Sequence, residues 1–122
     1  DFWRRWHISL SEWCRKYVHM RVFATTRRAA PAAISAMLVL GLWHEFSLRY
    51  LAWAMWHGVG IAVWQRWSRS RAARHLNEGR LRVPWHICSI ALTQTYVISS
   101  FVFTSSESLA DAVVRWMILL RW

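Results

Sequence analysis

The sequence predicts an all-α membrane protein with several transmembrane helices, preceded by an amphipathic helix at the membrane interface. The first observation behind this prediction is composition, because 56% of the 122 residues are hydrophobic and 11 are Trp. A soluble domain of this length leaves much of its surface in water and has little room to bury so many large side chains. The second observation is a formal net charge of +10, and the third is the alternation of apolar runs with basic clusters.

Three apolar runs have about the length of a membrane span. They cover residues 29–46, 50–65 and 83–104 approximately, and a shorter run at 112–122 predicts a partial helix. A helix needs about 20 apolar residues to cross a hydrocarbon core of about 30 Å. The chain begins with Asp1 rather than Met. We therefore interpret residues 1–122 as the C-terminal part of a single multi-span membrane domain.

Positive charge is concentrated on one side of the predicted membrane. One basic cluster precedes the first span, and another lies between the second and third spans, in a segment at 68–82 that is predicted to be a linker. Two crossings return the chain to its starting side, so both clusters fall on the face that is cytoplasmic in cells. The clusters are Arg4, Arg5, Arg15, Lys16, Arg21, Arg27 and Arg28, and then Arg66, Arg69, Arg71, Arg74, Arg80 and Arg82. We expect a multi-pass protein of the inner (plasma) membrane, with lipids as partners and no nucleic acid.

The N-terminal segment has the hydrophobic period of one helix face. Large apolar residues recur at spacings of three and four: Trp3, Trp6, Leu10, Trp13, Tyr17 and Met20. Ser9 and Glu12 match a capping box, which predicts an amphipathic helix over about 10–24 that begins at Leu10. His7 then lies at a bend just before this helix. The alternative to a catalytic role is a basic helix that only rests in the interface with its Trp side chains in the acyl region.

Two histidines lie within the apolar runs, His44 in the first and His57 in the second. Ionisable side chains in a span are costly and are functional-site candidates by default. Burial in an apolar pocket keeps an imidazole neutral and able to accept a proton, as a general base must. The alternative for both is structural. In particular, Gly58 and Gly60 beside His57 indicate closely packed helices, between which an imidazole forms a hydrogen bond.

Other chemistries have little support in the sequence. No His-x-x-x-His pair occurs, and we predict no metal site. The G-x-S-x-G motif of a serine nucleophile is absent. Cys14 and Cys88 form no C-x-x-C pattern, which argues against a disulfide scaffold. Glu45 projects about 100° away from His44 on a helix and is not expected to orient it directly.

Two separated motifs resemble the membrane-bound O-acyltransferase family. The segment from Phe2 to about Arg21, FWRRWHISLSEWCRKYVHMR, is similar to a motif of its bacterial polysaccharide and teichoic-acid branch. The segment from Gly41 to Gly60, GLWHEFSLRYLAWAMWHGVG, is similar to the family's G-x-W-H stretch followed by W-x-x-x-H-G. The resemblance implies transfer of an acyl group to a hydroxyl of a cell-envelope glycan or polyol. The donor implied is a thioester, acyl-CoA or an acyl carrier protein, and no bound cofactor is expected.

The same resemblance implies roles for individual residues. His44 matches the family's catalytic histidine and is the expected general base. His7 matches a second histidine of the bacterial branch and is the other expected catalytic residue. The expected substrate-binding residues are Trp3, Trp6, Trp43 and His57.

Two positions depart from the pattern of bacterial relatives. Where those relatives usually read RDY, this chain has Lys16 in the middle position, and where they often read WHG, it has Glu45 after the histidine. The sequence around Tyr17–Phe23 looks closer to the D-alanyl transfer proteins than to the alginate O-acetylation branch, and the acceptor stays open. The alternative function is a non-catalytic membrane subunit whose buried histidines only pack helices.

Overall fold

Helices make up almost all of the computed structural model, which describes residues 8–78, 80–119 and 121. Over these residues the chain contains no strand, and the all-α prediction is confirmed. A π-helical segment, Arg15–His19, joins the first two helices. The helices are α1 (Ile8–Cys14), α2 (Met20–Thr26), α3 (Ala29–His44), α4 (Leu48–Ser68), α5 (Arg71–Glu78), α6 (Arg82–Ser105) and α7 (Leu109–Leu119).

The N-terminal helix differs from the prediction at its start. Ile8 and Ser9 are already helical, so the predicted start at Leu10 is wrong and Ser9 does not act as the N-cap. A capping-box match is a local signal, and a helix that already extends to earlier residues overrides it. At the other end, Arg27 takes a left-handed conformation with φ 54°, which ends α2 just before α3.

Helices α3 and α4 form a closely packed antiparallel hairpin. A Cβ atom added at Gly41 would lie 2.6 Å from the Cβ of Ala54. One added at Gly58 would lie 3.0 Å from the Cα of Ile34. Ala54 and Gly58 are four residues apart and share a face of α4, the small-x-x-x-small pattern that lets membrane helices approach closely. Small residues therefore set the spacing of the hairpin.

Helix α6 packs antiparallel to α4 through aromatic side chains. The rings of Trp56 and Tyr96 stack with centroids 4.9 Å apart. Trp56 Nε1 donates to the carbonyl of Tyr96 at 3.3 Å, and the Tyr96 hydroxyl donates to the carbonyl of Trp56. Trp116 of α7 packs on the same Trp56 ring at 5.2 Å. These contacts join α4, α6 and α7 into one bundle.

The antiparallel packing brings most of the basic residues to one end of the bundle. Trp67 near the end of α4 contacts Trp85 near the start of α6, with centroids 5.8 Å apart. At the opposite end, Arg49 donates to the carbonyl of Ser106. The basic residues from Arg66 to Arg82 therefore lie at one end of the bundle, together with the start of α3, as the charge pattern predicted. The acidic residues Glu45, Glu107 and Asp111 lie at the other end.

The segment at 68–82 that was predicted to be a linker contains a helix, α5 (Arg71–Glu78), which the sequence analysis did not predict. The hydroxyl of Ser70 accepts a hydrogen bond from the amide of Ala73 at 3.1 Å, as an N-cap serine does. Ala73 is buried against the bundle. The high charge of the segment concealed this short amphipathic helix.

One helix in the described part of the chain, α6, is long and apolar enough to cross a membrane. Its 24 residues correspond to about 36 Å. The other two predicted spans coincide with α3, which is apolar but has 16 residues, and α4, which has 21 residues but is less apolar. Membrane association is thereby supported, whereas the multi-pass arrangement and the interfacial position of the N-terminal helix stay predictions.

Candidate active site

His44 is the last residue of α3, at the end of the bundle opposite the basic residues. The helix ends there because Glu45 is extended, with φ −162° and ψ 135°. The amide of Glu45 still donates to the carbonyl of Gly41 at 3.1 Å, which completes the last helical turn. The chain then turns into α4 and brings aromatic residues of that helix beside the imidazole.

Three aromatic rings contact the imidazole of His44. The ring of Tyr50 lies nearly parallel to it, with centroids 6.0 Å apart and an interplanar angle of 25°. Trp43 and Trp53 meet it edge-on, at 5.1 and 5.9 Å. In the described part of the chain the His44 side chain is exposed, and no described residue forms a hydrogen bond with its ring nitrogens.

The burial predicted for His44 is not provided by the described residues, among which its side chain is exposed. The reason is its position at a helix end, where the chain must leave α3 to form the tight turn into α4. A residue one or two turns earlier in α3, such as Gly41, faces α4 and is buried. The aromatic contacts orient the imidazole without enclosing it.

An apolar groove of about 490 Å³ lies between α1 and α3. Its lining residues are Ser9, Leu10, Trp13 and Cys14 of the first motif, Trp43 of the second motif, and Val39, which precedes the second motif. Trp43, predicted to bind substrate, therefore lines a groove, whereas His44, the next residue in the chain, is not among the residues that line it. The predictions for Trp3, Trp6 and His7 concern residues that lie outside the described part of the chain.

His57 occupies a different environment, between α4 and α6. Its Nε2 lies 2.9 Å from the hydroxyl oxygen of Ser100, which is 1% exposed. The Ser100 hydroxyl donates to the carbonyl of Val97 at 2.7 Å, and it has only one hydrogen. The Nε2 of His57 must therefore donate to Ser100. This is the interhelical hydrogen bond that the structural alternative predicted, and substrate binding by His57 stays a prediction.

Trp53 lies between the two histidines. Its ring contacts His57 at 4.8 Å as well as His44 at 5.9 Å. Sequence analysis singled out neither Trp53 nor Tyr50 nor Ser100. Trp53 precedes His57 by four residues, a spacing that places both on one helix face and was a usable signal. Ser100 lies in a helix with several Ser and Thr residues, and no local pattern distinguishes it.

The two departures from the bacterial pattern lie in different places. Lys16 is in the π-helical segment, with Nζ 5.3 Å from the ring centroid of Tyr17. Glu45 lies in the connection between α3 and α4, where it pairs with Arg49 and not with His44. The hydrogen bonds that Arg49 gives to Glu45 hold the pKa of its carboxyl below the ordinary range. Glu45 is therefore ionised at neutral pH.

Removal of the Ser100 hydroxyl tests the tie between α4 and α6. In Ser100→Ala the His57 N–H loses its acceptor, and we expect a loss of about 1 kcal/mol in stability. The matched control is Ser99→Ala, because among the described residues the Ser99 hydroxyl makes only the local bond to the Tyr96 carbonyl, at 2.7 Å. Thermal unfolding of the full-length protein in detergent measures both variants. Equal melting temperatures for the two would contradict the role of this hydrogen bond.

Comparison with known proteins identifies the family. Residues 1–106 match MBOAT, the membrane-bound O-acyltransferase family. The chain belongs to this family. The resemblance of both motifs is thereby confirmed, and with it the assignment to a membrane-bound acyltransferase family.

The names of curated relatives of this MBOAT chain refer to several cell-envelope polymers. The probable alginate O-acetylase AlgI of Pseudomonas fluorescens is 31% identical over 112 residues, covering 89% of this chain and 21% of the relative. Teichoic acid D-alanyltransferase of Streptococcus thermophilus is 35% identical over 81 residues, covering 58% of this chain and 20% of the relative. Peptidoglycan O-acetyltransferase of Helicobacter pylori is 25% identical over 116 residues, covering 93% of this chain and 21% of the relative.

The MBOAT chain spans about a fifth of the length of these relatives. No solved structure matches it. Relatives of both the alginate O-acetylation and the D-alanyl transfer branches match, in agreement with the branch that the motifs indicated.

Proposed function

We propose that this chain is part of a multi-pass O-acyltransferase that moves an acyl group from a thioester donor to a hydroxyl of a cell-envelope glycan or polyol. The observation that carries the proposal is the position of His44 at the end of α3, directly after Trp43, which lines the groove between α1 and α3. The names of the relatives support an envelope polymer as acceptor.

In the proposed reaction His44 is the general base. Its imidazole accepts the proton of the acceptor hydroxyl while the hydroxyl oxygen attacks the thioester carbonyl. The new C–O bond forms, the C–S bond breaks, and the leaving thiolate takes up the proton. A positioned base of this kind contributes about 10²- to 10⁴-fold in rate. His7 is the second proposed catalytic residue and orients a substrate.

The separation of charge along the bundle favours approach of the two substrates from opposite ends. Acyl-CoA and acidic carrier proteins are anionic, and the basic end of the bundle attracts them electrostatically. His44 lies at the other end of α3, whose 16 residues span about 24 Å. The acyl thioester must therefore reach across most of the bundle, and the acceptor hydroxyl meets it at the acidic end. Trp3, Trp6, Trp43 and His57 are proposed to line this path.

A second candidate function is a non-catalytic membrane subunit. The observation that favours it is the hydrogen bond between His57 and Ser100, which gives one of the two span histidines a packing role. It does not account for His44, which is exposed among the described residues and lies at the end of α3.

The test uses a strain that lacks the gene and is complemented with the full-length protein. Mass spectrometry of purified envelope polymers should show an ester-linked acyl group that disappears on deletion and returns with the unaltered gene. The purified protein in detergent should then transfer the same acyl group from acyl-CoA or from an acyl carrier protein. Unchanged polymers in the deletion strain, or no transfer from either donor, would contradict the proposal.

A further inference from the structure

A hydrogen-bonded network surrounds the turn that follows His44. Arg49 donates to both carboxylate oxygens of Glu45, through Nη2 at 2.6 Å and through Nε at 3.2 Å. Its remaining nitrogen, Nη1, donates to the carbonyl of Ser106 at 2.5 Å. One guanidinium thus joins the end of α3, the start of α4 and the loop after α6. Charge-assisted, two-pronged bonds of this kind fix geometry as well as adding energy.

This network differs from an ordinary surface ion pair. Exposed pairs contribute little because solvent screens them and both side chains lose entropy. Here the Glu45 side chain is 40% exposed, but the Arg49 side chain is 24% exposed, and the residue at the far end, Ser106, is 1% exposed. The Ser106 hydroxyl is itself held by the carbonyl of Val102 at 2.6 Å. The anchor point of the network is therefore rigid and buried.

The network reaches His44 by two routes. Glu45 is the next residue in the chain, and its extended backbone ends the helix at His44. The Arg49 guanidinium also lies 5.5 Å from the ring centroid of Tyr50, a cation–π distance. The Tyr50 ring in turn lies nearly parallel to the imidazole of His44, with ring centroids 6.0 Å apart. Guanidinium, phenol and imidazole thus form a continuous set of contacts.

We propose that Glu45, Arg49 and the Ser106 carbonyl form a positioning network that holds Tyr50 against His44 and so fixes the imidazole for proton transfer. The proposal rests on the proposed function. Glu45 and Arg49 do not touch the reacting atoms in this scheme and act through Tyr50 and the backbone. A displacement of about 1 Å at a reacting group costs up to about 10²-fold in rate, and loss of the network should therefore lower kcat.

The first experiment measures kcat and KM for the thioester donor in the full-length protein with Glu45→Gln, Arg49→Gln and the double substitution. Each single change should lower kcat by about tenfold or more and leave KM within about twofold. The double variant should be no worse than either single, because both changes break the same network. A general loss of folding would instead reduce membrane abundance and leave kcat per folded molecule unchanged.

The matched control is Arg115→Gln, because Asp111 itself accepts a hydrogen bond from the amide of Glu107, next to Ser106. Asp111 pairs with Arg115 at the same i, i+4 spacing, with both contacts at 3.1 Å, at the same end of the bundle. In the described part of the chain this pair contacts neither Tyr50 nor His44, so kcat should stay within about twofold. Arg49→Gln and Arg115→Gln with the same kcat would overturn the proposal.

A second variant covers the case in which the Glu45 changes prevent folding. Tyr50→Phe keeps the ring between Arg49 and His44 and should retain kcat, whereas Tyr50→Leu removes the ring and should lose about tenfold or more. Equal activity of these two variants would overturn the proposal. If the unaltered protein transfers acyl groups and His44→Gln does not, full activity of Glu45→Gln rejects the network alone. No transfer by the unaltered protein rejects the proposed function and the network together.

Discussion

Replacement of His44 with Gln should lower kcat for acyl transfer by about 10²- to 10⁴-fold, the range that a positioned general base contributes. Glutamine keeps a polar side chain of similar size but does not accept a proton near neutral pH. Because His44 is exposed at the end of α3, the substitution removes little packing. The variant should therefore reach the membrane at wild-type abundance. Steady-state transfer of a labelled acyl group by the purified full-length protein measures the effect.

The control for this substitution is His75→Gln. His75 is also exposed, but it lies in α5 at the basic end of the bundle, away from both motifs. It should transfer acyl groups at the wild-type rate. If His44→Gln retains kcat within about tenfold at equal abundance, His44 is not the general base. If abundance falls while the rate per molecule is unchanged, the histidine has the packing role of a non-catalytic subunit.

The helices themselves could be predicted well from the sequence, because their signal is local. Apolar runs and the charges between them gave α3, α4 and α6 to within a few residues, and the charge pattern gave the separation of basic and acidic ends. The helix α5 was missed because Ser70 and Ala73 stabilise it within a segment whose overall charge resembles a linker. The charge pattern of this segment indicated a linker, whereas the Ser70 hydrogen bond and the burial of Ala73 stabilise a helix.

The surroundings of the histidines could be predicted only in part. That His44 and Trp43 lie in a candidate site followed from one motif. That Ser100 meets His57 depends on the register between α4 and α6, and residues 43 positions apart have no shared local pattern. Likewise Arg49 reaches Ser106 only because both helix ends lie at the same level of the bundle. Tertiary register, and not residue type, decides which polar groups meet.

The second large effect is expected at Gly41, where Gly41→Ala should destabilise the protein by about 3 kcal/mol, at the upper end of the usual cost of overpacking. An added Cβ would lie 2.6 Å from the Cβ of Ala54 and 2.7 Å from the carbonyl oxygen of Tyr50. Neither neighbour can rotate away, since one is a methyl group fixed on its backbone and the other is backbone itself. Helices α3 and α4 must then separate. Thermal unfolding in detergent measures the loss as a lower melting temperature.

Gly60→Ala is the matched substitution that separates steric overlap from helix propensity. Alanine is favoured over glycine in a helix by about 1 kcal/mol at either position. At Gly60 the added Cβ would meet the ring of Tyr96 at 2.6 Å, the movable end of a side chain. Tyr96 can turn aside with the loss of its stacking on Trp56 and of its hydrogen bond to the Trp56 carbonyl, a smaller loss than the separation of two helices. The melting temperature should therefore fall further for Gly41→Ala. The reverse order would show that the α3–α4 spacing is not fixed at Gly41. Since the displaced carbonyl belongs to Tyr50, Gly41→Ala should also lower kcat, which Gly60→Ala should not.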